Sequence, residues 1–389
     1  MILYVLVFAL VLLLGYFVNA DYRRDINLCT SQLNRSSRVT RQGYVNRVML
    51  TGIFFILFMV SALRVGTGND YWVYRTGFLQ INGGETPVSY ELGFKAVVLL
   101  MQKIFYRDCY KEIFALFALL TALFFVKGLY DTADWFVASL FIFMANGFYY
   151  MSFSNVRYYF AFALCMCSLR PLLDKKYGKF IIYILAAALF HKTALLCLLA
   201  YPIALFLKWT KKTIWLIPVG CAFLVSGKAI IRWLLFKIYI YYEGDPLDNG
   251  NVSYINILKC GAILVFALIN YRECIKGDKK AEMLFNLNLF SFMLYAFASY
   301  IPELSRVCYY MVMGQVFLIP LVLKKIENKK KKLFFEIVIF VAFLLYFAMF
   351  LKKPVTSSII ASIGPGILET ITGTSIASAS IILIPNPSL

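Results

Sequence analysis

An all-helical, polytopic membrane protein is the fold class this sequence predicts, and three observations predict it. Of its 389 residues, 61% are hydrophobic, 17% are aromatic and only 15% are charged, well outside the range of a soluble domain. The apolar residues are gathered into runs near 2–18, 47–63, 112–129, 135–151, 158–173, 180–190, 193–207, 213–227, 254–270, 283–301, 307–323 and 333–351. Between the runs, basic residues cluster in short loops. A hydrocarbon core about 30 Å thick takes about 20 helical residues to cross, with about 17 the shortest untilted span. The runs therefore predict about twelve transmembrane helices in a single domain, 1–351, although 180–190 spans only if its neighbours continue it.

In chain order, the first run lacks a basic start and a small-residue cleavage site, and so predicts a retained helix rather than a signal peptide. The formal charge of +19 resembles a nucleic-acid signature in size but not in placement. Arg23, Arg24, Arg35, Arg38, Arg41 and Arg47 fill one loop, and Lys175, Lys176 and Lys179 another. Lys208, Lys211 and Lys212 follow, then Arg272, Lys276, Lys279 and Lys280, and finally Lys324, Lys325 and Lys329 to Lys332. Loops of this kind obey the positive-inside rule, which places them in the cytoplasm and excludes nucleic acid as the expected partner. The segment Leu92 to Phe105, with Lys95 and Lys103, is only moderately apolar, and spanning would break the parity of the loops. It is assigned to an interfacial or re-entrant outer helix within an extracytoplasmic loop, 64–111. The amino terminus then lies outside. Residues 352–389, rich in Ser, Thr, Ile, Gly and Pro, form a low-complexity tail.

With that threading, four polar interruptions emerge on the extracytoplasmic face: Arg64, Asp70 and Arg75; Asn155 and Arg157; His191 and Lys192; Glu303 and Arg306. An ionisable group inside a bilayer costs roughly 2.5 to 3.5 kcal/mol on insertion scales, so such groups mark candidate functional sites. Each also has a purely structural reading. Arginine and lysine at helix ends snorkel to headgroups, tyrosine and tryptophan form an interfacial belt, and a buried histidine can bond a backbone carbonyl.

The available chemistry is narrow. One histidine permits no His-Glu-x-x-His site, and the nine cysteines lack paired Cys-x-x-Cys spacing, so neither a metal nor a cofactor is expected. Gly66-Thr67-Gly68 lacks the lysine and the strand-to-helix context of a phosphate-binding loop. Guanidinium forks bind phosphate oxygens in pairs, a histidine moves protons near neutral pH, and the outer aromatics, Tyr71 and Tyr74 among them, suit sugar rings. An anionic, lipid-linked substrate arriving from the membrane plane fits this set.

Leu63-Arg64-Val65-Gly66-Thr67-Gly68-Asn69-Asp70-Tyr71 followed by Tyr74 resembles the Arg-x-Gly-x-Asp-Tyr-x-x-Tyr segment of EpsG-type proteins. These are Wzy-like polymerases of bacterial exopolysaccharide and capsule clusters. Ser154-Asn155-Val156-Arg157 and Leu189-Phe190-His191-Lys192-Thr193 are similar to that family's Asn-x-Arg-Gln and Phe-His-Lys-Ser segments, and Leu304-Ser305-Arg306 to its later Ser-Arg segment. The glutamine expected after Arg157 is Tyr158, and the resemblance ends near residue 350.

The resemblance implies a GT-C-like, metal-independent glycosyltransferase in the bacterial inner membrane. It would join undecaprenyl-diphosphate-linked oligosaccharide repeats on the extracytoplasmic face, with a chain-length regulator as a further expected partner. His191, Asp70 and Arg157 are then the candidate catalytic residues, with Asp70 as base. Arg64, Tyr71, Tyr74, Arg75, Asn155, Lys192, Glu303 and Arg306 are the candidate substrate-binding residues, Arg64 joining Arg157 on the diphosphate. Asp70 has a rival role, holding Arg64 in place. An O-antigen ligase or membrane acyltransferase would share an outer His/Arg site. A lipid-linked oligosaccharide flippase would carry charges along a central cavity on both faces, and a solute transporter would show internal repeats with paired broken helices.

Overall fold

Twelve apolar runs become helices at close to their expected positions in the computed structural model, which describes residues 2–22, 40–68, 70–83, 90–105, 108–210, 213–238, 252–301 and 304–352. Among these residues all regular structure is helical. The helices are α1 (Ile2–Tyr16), α2 (Arg41–Ala62), α3 (Tyr71–Asn82), α4 (Leu92–Phe105), α5 (Tyr110–Thr132), α6 (Phe136–Ala145), α7 (Phe148–Met151) and α8 (Val156–Leu173). There follow α9 (Tyr177–Ala188), α10 (Cys197–Phe206), α11 (Leu216–Ser226), α12 (Lys228–Ile238), α13 (Tyr254–Ile269), α14 (Lys279–Phe297), α15 (Leu304–Lys325) and α16 (Lys329–Leu351). Glu303, the basic stretch from Arg23 to Arg38 and the tail beyond Lys352 lie outside the described residues.

Among the described residues, 4 helices are long and apolar enough to cross a membrane unaided: α2, α5, α15 and α16. Several other apolar runs form shorter helices, including α1, α6, α9 and α13. The run 135–151 is split at Asn146-Gly147 into α6 and α7, because Gly147 adopts φ 76, a left-handed conformation that favours glycine. The run 193–207 begins as a 3-10 turn, Lys192–Leu196, before α10.

Polar caps set where several helices start. Thr40 Oγ1 accepts from the Gly43 amide at 3.1 Å ahead of α2. Asp278 caps α14, and Asn328 caps α16, each accepting from two first-turn amides. Within the bundle α5 packs on α2 and α8, α8 on α9, and α15 on α14. Aromatic rings fill these seams, as where Phe117, Phe160 and Phe190 meet edge to face.

Polar residues collect at the two opposite ends of the helices. At one end Lys324 Nζ lies 2.9 Å from Asp21 Oδ1, Lys325 Nζ 2.6 Å from Asp278 Oδ2 and Lys331 Nζ 2.9 Å from Glu273 Oε2. Exposed pairs of this kind add little to stability. Their value here is positional, since they gather the ends of α15 and α16 with the connections around Asp21, Glu273 and Asp278. Arg306, at the other end of α15, stands about 27 Å from Lys324 at 1.5 Å rise per residue, close to the thickness of a hydrocarbon core.

The segment between α2 and α5 starts and finishes at the end away from the lysines. Its helix α4 is amphipathic, burying Phe94, Val98 and Gln102 and leaving Leu92, Leu99, Leu100 and Ile104 exposed. Gln102 Nε2 donates to the Phe78 carbonyl at 2.8 Å, fastening α4 to α3.

Candidate active site

Arg157 lies in the first turn of α8, at the end of the bundle opposite the lysine-rich loops. Three rings enclose its guanidinium: Tyr90 at 4.6 Å, Phe94 at 5.4 Å and Tyr74 at 5.9 Å. Its Nε donates to Tyr74 Oη at 3.4 Å, and its Nη1 pairs with Glu91 Oε2. The aromatic walls fix the plane of the fork, and the carboxylate fixes its rotation.

Glu91 is the functional candidate absent from the sequence reading. It stands just before α4, outside every apolar run, where an acidic residue reads as ordinary helix-start chemistry. Two close approaches hold it under Arg157. The Gly93 amide donates to the Leu189 carbonyl at 2.9 Å, and a Cβ at Gly93 would come within 2.8 Å of that oxygen. A Cβ at Gly77 would likewise meet Tyr90 Oη at 2.2 Å. With α4 docked on the end of α9, Glu91 Oε1 comes 3.5 Å from the Lys192 amide. The carboxylate thus joins the α8 arginine to the His191-Lys192 break.

His191 is buried, its Nδ1 2.5 Å from Thr193 Oγ1 and its ring edge-on to Tyr158 at 5.1 Å. Tyr158, standing where the family pattern has glutamine, donates its hydroxyl to the Arg306 carbonyl at 2.7 Å. Arg306 Nη2 in turn donates to Asn155 Oδ1 at 3.3 Å. Asn155, Arg157, His191, Lys192 and Arg306, taken from three separate breaks, therefore form one neighbourhood. The Lys192 side chain is exposed.

Asp70 starts α3 without making a side-chain cap, and among the described residues its carboxyl forms no ion pair. Arg306 and Arg157 are the cations within electrostatic reach of it. Arg64 turns away, with Nη1 2.5 Å from the Ser61 carbonyl and 2.8 Å from Ser61 Oγ, and with its guanidinium between Phe114 at 5.2 Å and Phe153 at 5.3 Å. Its Nε is buried without a hydrogen-bond partner. Gly66 and Gly68 separate the two residues in space. Both take positive φ, and a Cβ at Gly68 would lie 2.6 Å from the Phe153 carbonyl oxygen.

The other predicted positions are distributed around this centre. Arg75 points to the start of α5, 3.6 Å from Asp108 and 4.7 Å from the Tyr110 ring. Tyr71 is buried and stacked on Phe114 at 4.7 Å, whereas Tyr74 faces Arg157. Tyr149 and Tyr150 donate to the carbonyls of Leu57 and Tyr4, so these rings serve helix packing. Among the described residues no group of three His, Cys, Asp or Glu side chains gathers to hold a metal.

Asp70 and His191 both lie in connections between the spanning helices. Burial pushes the Asp70 carboxyl above its ordinary value, while Arg306 and Arg157 pull it back. Burial, then the positive charges of Arg306 and Arg157, push the His191 imidazole down, so the ring is neutral at pH 7. The folded state resists protonating His191, whereas the unfolded chain takes that proton near 6.5. Stability should therefore fall as pH drops below about 6.5. Melting curves of His191→Gln in detergent should show a flatter acid limb than the wild type; an unchanged limb would mean that His191 does not set it.

Apolar helices around a cluster of guanidiniums, carboxyls and one neutral imidazole define a multi-pass membrane protein. The chain belongs to the EpsG family, which it matches over residues 47–361, and is thus a membrane protein of polysaccharide-polymerase type. No curated protein and no solved structure matches the chain.

Proposed function

We propose that this protein is a metal-independent, lipid-linked-oligosaccharide polymerase of the bacterial inner membrane. It joins undecaprenyl-diphosphate-linked repeats on the extracytoplasmic face. The observation carrying the reading is the meeting of Arg157, Arg306, Asn155, His191 and Asp70 at the end of the bundle farthest from the lysine-rich loops. A twelve-crossing topology is supported by the alternation of helix ends between those two zones, with α3 and α4 as an outer insertion.

In the reaction, a hydroxyl on the acceptor repeat attacks the anomeric carbon of the donor chain. The new C–O bond forms as the bond from that carbon to the diphosphate breaks, and the electron pair leaves with the undecaprenyl diphosphate. The hydroxyl proton passes to Asp70. Arg157 and Arg306 meet the charge developing on the diphosphate, the contribution that preorganised cations generally make most strongly. Glu91 holds the Arg157 fork until the diphosphate competes for it. His191, held neutral, orients the acceptor through its ring nitrogen.

Purified protein supplied with a defined lipid-linked repeat should yield a ladder of products differing by whole repeats. A single lipid-to-acceptor transfer would identify a ligase instead. For sidedness, single cysteines at Leu63 and Asn328 in a cysteine-free background are suitable, both positions being exposed. The first should react with an impermeant thiol reagent added outside and the second should not. Labelling of both from one side would remove the proposed orientation.

A further inference from the structure

We infer that Lys259, with Asn146 and Tyr346, forms a second seat for a lipid-borne phosphate, beside the Arg157 and Arg306 site. Lys259 lies on the apolar helix α13, yet among the described residues its ammonium meets only neutral groups. Nζ is 2.9 Å from Asn146 Oδ1 and 3.2 Å from Tyr346 Oη, and it sits 4.4 Å from the centre of the Tyr346 ring. A cation placed among apolar helices with dipolar partners alone retains its capacity for an anion.

Two further features mark this place as built for a ligand. The partner Asn146 stands at the α6–α7 break, opened by left-handed Gly147, where an added Cβ would lie 3.0 Å from the Phe350 ring. One turn from Lys259 on α13, Asn256 buries an amide oxygen with no hydrogen-bond partner. That oxygen needs a donor, which a sugar hydroxyl carries and a bare phosphate ester does not. The seat lies on the same side of the bundle as the main site: Tyr159 stands within electrostatic reach of both Tyr346 and Arg306. Lys259 lies about 8 Å along α13 from its first residue, a depth a headgroup-level phosphate can reach from the bilayer.

The inference rests on the polymerase reading, in which two lipid-linked chains are held at once. The Arg157 and Arg306 site takes one diphosphate and Lys259 the other. A structural alternative is that Lys259 caps the carbonyl end of α6, where a cation is favourable.

Native mass spectrometry of the full chain, titrated with undecaprenyl diphosphate, separates these readings. The wild type should bind two lipids. Lys259→Met should bind the second roughly 10- to 100-fold more weakly, the usual worth of a hydrogen-bonded charge, while Lys259→Arg keeps it. If Lys259→Met does not fold, Tyr346→Phe should still weaken the second equivalent alone. Two lipids on Lys259→Met at wild-type affinity, with or without a lower melting temperature, would overturn the inference. Displacement of the second lipid by phosphatidylglycerol at equal concentration would assign the seat to bulk lipid, and equal affinity for inorganic diphosphate would remove the lipid-borne element. Stoichiometry is read without turnover, so loss of the product ladder with two lipids still bound would count against the polymerase reading and leave the seat intact.

Discussion

Arg157→Lys should cut polymer formation nearly as far as Arg157→Ala, by about 10² to 10³, the usual effect of removing a preorganised group that stabilises developing charge. Lysine keeps the charge but loses the planar fork. In this site the fork faces Glu91, bonds Tyr74 and lies among three rings, and a flexible ammonium reproduces at most one of those relations. Product ladders from equal amounts of purified protein measure the loss.

Folding has to be separated from chemistry in that experiment. Glu91 is buried, so removing its arginine leaves a carboxylate without its partner, a change that destabilises by about 3 to 5 kcal/mol in buried pairs. Arg157→Ala should therefore lower the melting temperature as well as the rate. Pairing it with Glu91→Gln should recover much of the stability and none of the activity. Recovery of both would make the pair a structural clamp, and the arginine would lose its assigned part in transfer.

The sequence made the helices and part of the site legible for the same physical reason. Long apolar runs have few alternatives in a bilayer, so the run 112–129 grew only to Tyr110–Thr132, and 333–351 to Lys329–Leu351. Residues that interrupt such runs are conspicuous because their insertion is costly, and Asn155, Arg157, His191 and Arg306 were visible on that ground. The split at Asn146-Gly147 also had a local signal, a turn-forming dipeptide, but it was hidden inside an unbroken count of apolar residues.

Glu91 was illegible because nothing about its position is costly in the linear chain. It becomes buried only when α4 docks on Leu189 through Gly93. Side-chain direction was likewise beyond a spacing argument. Asp70 comes only six positions after Arg64, yet two left-handed glycines turn the chain between them, so Arg64 folds back onto Ser61 while Asp70 faces the guanidiniums of α8 and α15. Gly68, part of a glycine pair that resembles a phosphate loop in sequence, instead allows the outer loop to lie against the Phe153 backbone.

Asp70→Asn should separate activity from stability in opposite directions. If the carboxylate takes the acceptor's proton, the amide should lower turnover by about 10² to 10⁴, the usual contribution of a general base. The same substitution should raise the melting temperature at neutral pH. Burial lifts the folded-state affinity of Asp70 for its proton above that of the unfolded chain, so between those two values the folded state binds the extra proton. Stability contributed by this group is complete at low pH and is lost as pH rises through the raised value. At neutral pH the ionised Asp70 therefore works against folding, and an uncharged amide relieves that opposition. The wild-type rate should fall on the acid side as Asp70 gains its proton, with a midpoint above 3.8, its ordinary value. The Asn variant's residual activity should lack that limb. A variant that is both slower and less stable would return Asp70 to a structural role at the start of α3, because a base held above its ordinary affinity for a proton cannot also be the group that secures the fold at neutral pH.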